Sequence, residues 1–221
     1  MDSPAQTTAM GCGGGIVGGA TRSGWGSSTV VNCLNAGLAL YKATGGVASP
    51  ISGHGGTVTN SYFDNEVMNA GGGNGRTTAQ LKTWGTGYQL NGKTLGSGWI
   101  WPDETSYPVP GESGVGSLRA AADWSEVGEW VEIYGSDNGM RPSGSGTTGT
   151  PYQIGNAEQL AWLAYRINRN NEWTLSARLT ADISLLGKDY TAFSGDITLA
   201  NIENALQWKP MGGRTTPYQL R

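Results

Sequence analysis

The chain has 221 residues, 37 of them glycine, with 14% charged residues and a formal charge of −3. Its Lys and Arg are scattered and form no basic stripe of the kind a phosphate backbone needs, which excludes nucleic-acid binding. The apolar runs fall well short of the roughly 20 residues that span a bilayer, so no membrane insertion is expected. Nine Trp and nine Tyr provide apolar surface worth burying and favour a turn-rich β fold over a disordered glycine tract.

Residues 1–10 are a polar lead-in. The first 15 residues lack a basic segment followed by an apolar core, so they do not form a secretory signal: either the protein is not exported or the chain is an internal piece of a longer exported one, and the repeat that follows favours the second. A pair of glycine-framed segments then appears twice. GGIVGG (14–19) is followed by TVVNCLN (29–35), and GGVASP (45–50) by TVTNSYF (57–63). The openings are offset by 31 residues and the closings by 28. Short strands separated by glycine turns at such a period predict a solenoid whose coils bury their apolar sides on one another.

Two-residue alternation puts Val30, Asn32 and Leu34 on one face of the first closing strand and Val31 and Cys33 on the other. Asn32 and Asn60 occupy equivalent places, where stacked asparagines bond the turn backbone or one another as a ladder. Cys33 corresponds to Ser61, which implies a small inward-facing position. Cys12 and Cys33 are readable as buried thiols, a disulfide or a reactive cysteine, and two cysteines with the lone His54 do not make a zinc site.

Beyond the second copy, 77–81 (TTAQL) predicts a short helix capped by a threonine, and 99–102 (WIWP) a strand ended by proline. Residues 107–110 (YPVP) form an extended exit. The two copies, with their closing segment YFD…TTAQL…YP, resemble GLUG repeats of large secreted and surface proteins of bacteria, over roughly residues 11–110. That resemblance implies an extracellular or cell-surface location.

Residues 111–150 change character. The stretch LRAAADWSEV with WVEIYG is open between a helix and a buried strand pair, and 136–150 is a Gly/Ser/Thr loop. The clearest helix covers about 156–168, with Asn156 as N-cap, Gln159 three residues on, and Leu160, Leu163, Ala164 and Ile167 on one face. Strands at 152–154 and 179–185 flank it. Together with Asp182-Ile183 and Trp208-Lys209-Pro210-Met211-Gly212, this region resembles the leading segment of a second GLUG-type module.

The expected architecture is therefore mainly β: right-handed parallel β-helix or β-solenoid coils, capped by the single amphipathic helix. The expected divisions are 1–110 for the terminal repeats and their closing segment, 111–150 for a linker or irregular segment, and 151–221 for the leading segment of the next module. Because the end of one array precedes the start of another, a cut across neighbouring modules and head-to-tail self-association are both candidate explanations.

The chain has no Ser, His and Asp set in recognisable context, no HExxH, no Walker loop and no CxxC. Asp64 with Glu66, and Asp103 with Glu104 near Trp101, are the carboxylate pairs that glycoside chemistry would need, weighed against solvated loop carboxylates. No catalytic residue, metal or cofactor is assigned. Trp25, Trp84, Trp99 and Trp101 are candidates to stack on sugars where exposed, with core packing as the competing reading. Trp25, in a variable loop, and Trp101 are the glycan contacts put forward. The expected function is a non-catalytic surface module, adhesin-like or a stalk, whose partners are host or microbial glycans or surface proteins. A carbohydrate-active enzyme, or its ancillary binding region, is the alternative.

Overall fold

The offset of 28 between the two closing segments reappears as parallel pairing. A computed structural model of the chain describes residues 12–14, 16, 29–38, 47–52, 57–68, 74–111, 118–185 and 206–212. Contacts divide the chain into two units, Met1–Leu118 and Arg119–Arg221.

The first unit begins with short strands: β1 (Cys12–Gly14), β2 (Thr29–Val31), β3 (Leu34–Asn35), β4 (Val47–Ser49), β5 (Thr57–Thr59) and β6 (Tyr62–Asp64). It continues through α1 (Asn65–Met68), β7 (Gly75–Arg76), α2 (Thr78–Leu81), α3 (Trp84–Leu90), β8 (Trp99–Ile100) and β9 (Val109–Pro110). Strand β2 runs parallel to β5 with Val30 opposite Val58, and β3 parallel to β6 with Leu34 opposite Tyr62. Strand β7 adds to β6, and β8 and β9 form an antiparallel pair. The opening segments pair in a different register from the one their glycines suggest. Cys12 lies opposite Val47 and Gly14 opposite Ser49, and the Ile16 N–H reaches the Ile51 carbonyl at 3.0 Å.

Strict alternation along 29–35 is not kept. Asn32 has φ 55° and Asn60 φ 44°, both in the left-handed region that Asn tolerates better than other side-chain-bearing residues. This single left-handed residue separates β2 from β3 and resets which side faces inward. Val30 and Cys33, expected on opposite faces, therefore pack in the same cluster with Ile51, Phe63, Val58 and Met68, while Val31 is 46% exposed. Ser61 is buried as its correspondence with Cys33 implies, and its Oγ accepts the Cys33 N–H at 3.1 Å. Cys33 is a free thiol.

The threonine-capped helix forms as expected. Thr77 Oγ1 accepts the Gln80 N–H at 3.2 Å, and Gln80 Oε1 accepts the Thr77 N–H at 3.0 Å, a complete capping box.

The second unit holds α4 (Trp124–Tyr134), β10 (Tyr152–Ile154), α5 (Ala157–Asn170) and β11 (Ala177–Leu179). The stretch left open between helix and strand is helical. Asp123 caps α4 through its carboxylate on the Ser125 N–H at 2.8 Å, and Trp124, Val127, Val131 and Tyr134 form a buried stripe at helical spacing. Residues 111–150 thus contain an 11-residue helix. Helix α5 starts where its cap predicts, with Asn156 Oδ1 accepting the Gln159 N–H at 2.9 Å. Gln159 reaches back to the Gly155 N–H, one residue before the cap. Strand β11 lies parallel to β10 and ends at Leu179, whereas a strand over 179–185 was expected.

The mainly β solenoid expected from the sequence is not the architecture. Among the described residues the chain mixes five helices with strands of two or three residues in small separate sheets, and no β-helix is formed. The sequence holds only two copies of the repeat, fewer than the three or so that a stack needs to bury its coils. After Asp64 the chain buries its apolar residues through helices instead. Helix α5, expected as a cap on an open coil, packs on α4 within the second unit. Gly128 sets that contact, because a Cβ there would lie 2.3 Å from the Ala161 carbonyl oxygen and 2.8 Å from Tyr165 Cβ.

Candidate functional site

The residues proposed from the sequence lie mostly in structural roles in the first unit. Trp25 lies outside the described residues. Trp101 is half-buried and donates its indole N–H to the Lys82 carbonyl at 3.2 Å. Trp99 donates to the Asn32 carbonyl at 2.9 Å, and Trp84 is buried and stacked on Tyr88 with ring centroids 4.9 Å apart. Asn32 and Asn60 hold equivalent turn positions, but Asn60 Oδ1 accepts from Gln89 Nε2 at 3.0 Å, and no hydrogen bond joins the two asparagine side chains among the described residues. Asn156 and Gln159 are the helix-capping groups described above.

The acidic pairs do not converge either. Asp64 is fully buried. Its Oδ1 accepts the N–H groups of Glu66 and Val67 at 2.9 and 3.2 Å, and its Oδ2 accepts the hydroxyls of Thr78 and Tyr107 at 2.6 Å each. Burial pushes this carboxyl up, but the four hydrogen bonds outweigh it and hold the group below its ordinary range. The Tyr107 hydroxyl is pushed up, first by burial and then by bonding to Asp64. Asp103 is exposed and closes a turn by accepting from the Thr105 N–H and hydroxyl at 2.8 and 2.7 Å. Among the described residues no group of three or more His, Cys, Asp or Glu is placed to hold a metal ion.

A cavity of about 250 Å³ lies in the second unit. Three pieces of chain build it. The first turn of α4 supplies Trp124 and Ser125. One face of α5 supplies Ala161, Ala164, Tyr165, Asn168 and Arg169, whose spacing follows i, i+3, i+4, i+7, i+8. The segment 206–212 supplies Trp208 and Lys209.

That last segment has little regular structure, so its position depends on tethers at both ends. The Trp124 N–H donates to the Gln207 carbonyl at 3.1 Å. Lys209 Nζ forms an ion pair with the Asp123 carboxylate. Asn168 grips the far side, giving its Nδ2 to the Pro210 carbonyl at 3.1 Å and accepting the Gly212 N–H on Oδ1 at 2.9 Å. Trp208 is thereby held half-buried as one wall, with the small side chains Ala161 and Ala164 leaving room beside it.

The electrostatics set the rim. Burial pushes the Tyr165 phenol up to about 12, helped by the charge of Glu129, whose Oε1 accepts its hydroxyl at 3.4 Å. It stays protonated and neutral at any physiological pH. Burial also pushes Asp123 up, but its bonds to Lys209 and to the Ser125 N–H outweigh this and hold it low, so it stays charged. The described residues lining the cavity include two cations, Arg169 and Lys209, and no carboxylate. Aromatic walls with a few polar groups at the mouth are what holds a small polar ring. The volume is just below the roughly 300–1,000 Å³ typical of sites for drug-sized ligands, which suits a single ring better than an extended one.

In the sequence, Trp208 and its neighbours stand out only through a resemblance and not as a site. The signal that would have found the cavity is the small-and-aromatic stripe on α5 beside a Trp-Lys-Pro segment. Their convergence, however, depends on a chain return of about 40 residues. No family model, curated protein or solved structure matches the chain, so the likeness to GLUG repeats rests on the quoted residues alone.

Proposed function

We propose that this chain is a non-catalytic, extracellular or cell-surface module of adhesin type that holds a glycan in the cavity between α4, α5 and the 206–212 segment. The observation that carries the reading is the placement of Trp208: held by tethers on both sides, half-buried, and lining one cavity with Tyr165 and the small residues Ala161 and Ala164. A rigid aromatic face binds the C–H face of a pyranose, while Asn168, Arg169 and Lys209 at the mouth suit its hydroxyls. The resemblance to GLUG-repeat surface proteins supports the location. A glycan array probed with the full chain tests the reading: binding to a defined subset of sugars, lost in Trp208→Ala, is expected. Release of new reducing ends from those sugars would instead favour the carbohydrate-active enzyme. No helix among the described residues is long and apolar enough to cross a membrane.

A second reading, head-to-tail self-association, is favoured by β11. All three of its residues are exposed, Leu179 at 62%, and among the described residues it pairs on one side only, with β10. An open edge of this kind accepts a further strand. Sedimentation at two concentrations tests it, and a monomer mass independent of concentration counts against it.

A further inference from the structure

The cavity carries a charge preference that its aromatic walls do not require. We propose that the sugar it takes is acidic, a pyranose bearing a carboxylate, with the carboxylate turned to Arg169. This rests on the glycan reading above and narrows it.

The chain as a whole has more acidic than basic residues, 17 against 14, yet the described side chains that line the cavity reverse this, with Arg169 and Lys209 present and no Asp or Glu. The two cations are not equivalent. Lys209 is ion-paired with Asp123, which largely cancels its charge. Arg169 is exposed and makes no salt bridge to a carboxylate among the described residues. The neighbouring Arg166, one turn back on the same helix, is by contrast bound to Glu172 at 2.7 Å and Glu132 at 3.4 Å. Of these two guanidiniums, the one without a salt bridge among the described residues is that of Arg169, a residue of the cavity lining. Its planar fork fits a carboxylate through two parallel hydrogen bonds, which a hydroxyl does not match. Lys209 and Tyr165 share the lining, and the carboxylates bonded to them, Asp123 and Glu129, are not themselves lining residues, which leaves Arg169 as the lining cation without a salt bridge among the described residues.

Two sources of this chemistry exist, a hexuronic acid and a nine-carbon sialic acid, and both enter the test. The full chain is titrated by calorimetry at low salt with methyl β-glucuronide, methyl α-sialoside and, as the neutral control, methyl β-glucoside. At least one acidic sugar is expected to bind tenfold or more tightly than the glucoside. Arg169→Gln is expected to weaken the acidic sugars at least fivefold more than the glucoside, because Gln still bonds hydroxyls but has no charge for the carboxylate, and the exposed side chain packs no core. Raising the salt is expected to weaken only the acidic sugars. Equal binding of acidic and neutral sugars, or an acidic preference that survives Arg169→Gln, overturns the charge preference and leaves the glycan reading in place. Binding of none of the three, with melting curves showing a folded chain, overturns both.

Discussion

Asp64 Oδ2 and the Tyr107 hydroxyl lie 2.6 Å apart although 43 residues separate them. With Thr78 bonded to the same oxygen, this contact ties the end of the second repeat copy, the start of α2 and the extended exit into one node around the buried Asp64. The succession YFD, TTAQL and YP, quoted first as a resemblance, has a local physical reason: each segment supplies one member of the node.

Removing the hydroxyl with Tyr107→Phe leaves a buried carboxylate short of one donor and is expected to cost about 1.5–3 kcal/mol, the range for hydrogen bonds to charged groups. Chemical denaturation of the full chain checks it. A midpoint unchanged from wild type would show that Asp64 does not depend on Tyr107.

The same pair bounds stability in pH. The folded-state pKa of Asp64 lies below its ordinary 3.8, so its contribution is complete above pH 3.8 and is lost as the pH falls through the lower folded value. Tyr107 is raised above its ordinary 10.0, so its contribution is complete below pH 10.0 and is lost as the pH rises through the higher folded value. Melting temperature measured across pH should show both flanks. Asp64→Asn should flatten the acid flank and, by removing the charge that Tyr107 bonds, shrink the alkaline one.

Gly128→Ala tests the helix crossing that frames the cavity. Alanine improves helix propensity by about 1 kcal/mol. The added Cβ would, however, meet the Ala161 carbonyl oxygen at 2.3 Å, and backbone at that distance yields only if the helices part. Overpacking of this kind costs about 1–3 kcal/mol, so net destabilisation is expected, with reduced sugar affinity as the cavity walls shift. A more stable variant would contradict the packing described for α4 and α5.

What was legible in the sequence followed locality. Thr77 and Asn156 announce their helices because capping needs only residues three or four apart, and the 28-residue offset of the closing segments sets a true register because their strand residues match position for position. The opening glycines mislead: GGIVGG and GGVASP align by letter at 31, but the backbone pairs Cys12 with Val47, since glycine has no side chain to fix a register. Alternation failed at Asn32, where one left-handed residue turns the strand over. The cavity was not legible at all. Trp124, Tyr165 and Trp208 meet only through α4 packing on α5 and the return of 206–212, contacts that no local pattern encodes.

The most direct measurement is a nuclear magnetic resonance titration of the full chain with the sugars selected on the array, following the indole N–H signals in wild type and in Trp208→Ala. The account predicts saturable shifts in wild type, centred on Trp208 and Trp124, and their loss in Trp208→Ala with the fold intact. Saturation that persists undiminished in Trp208→Ala, or that leaves both indole signals unmoved in wild type, would contradict the placement of the binding site in this cavity.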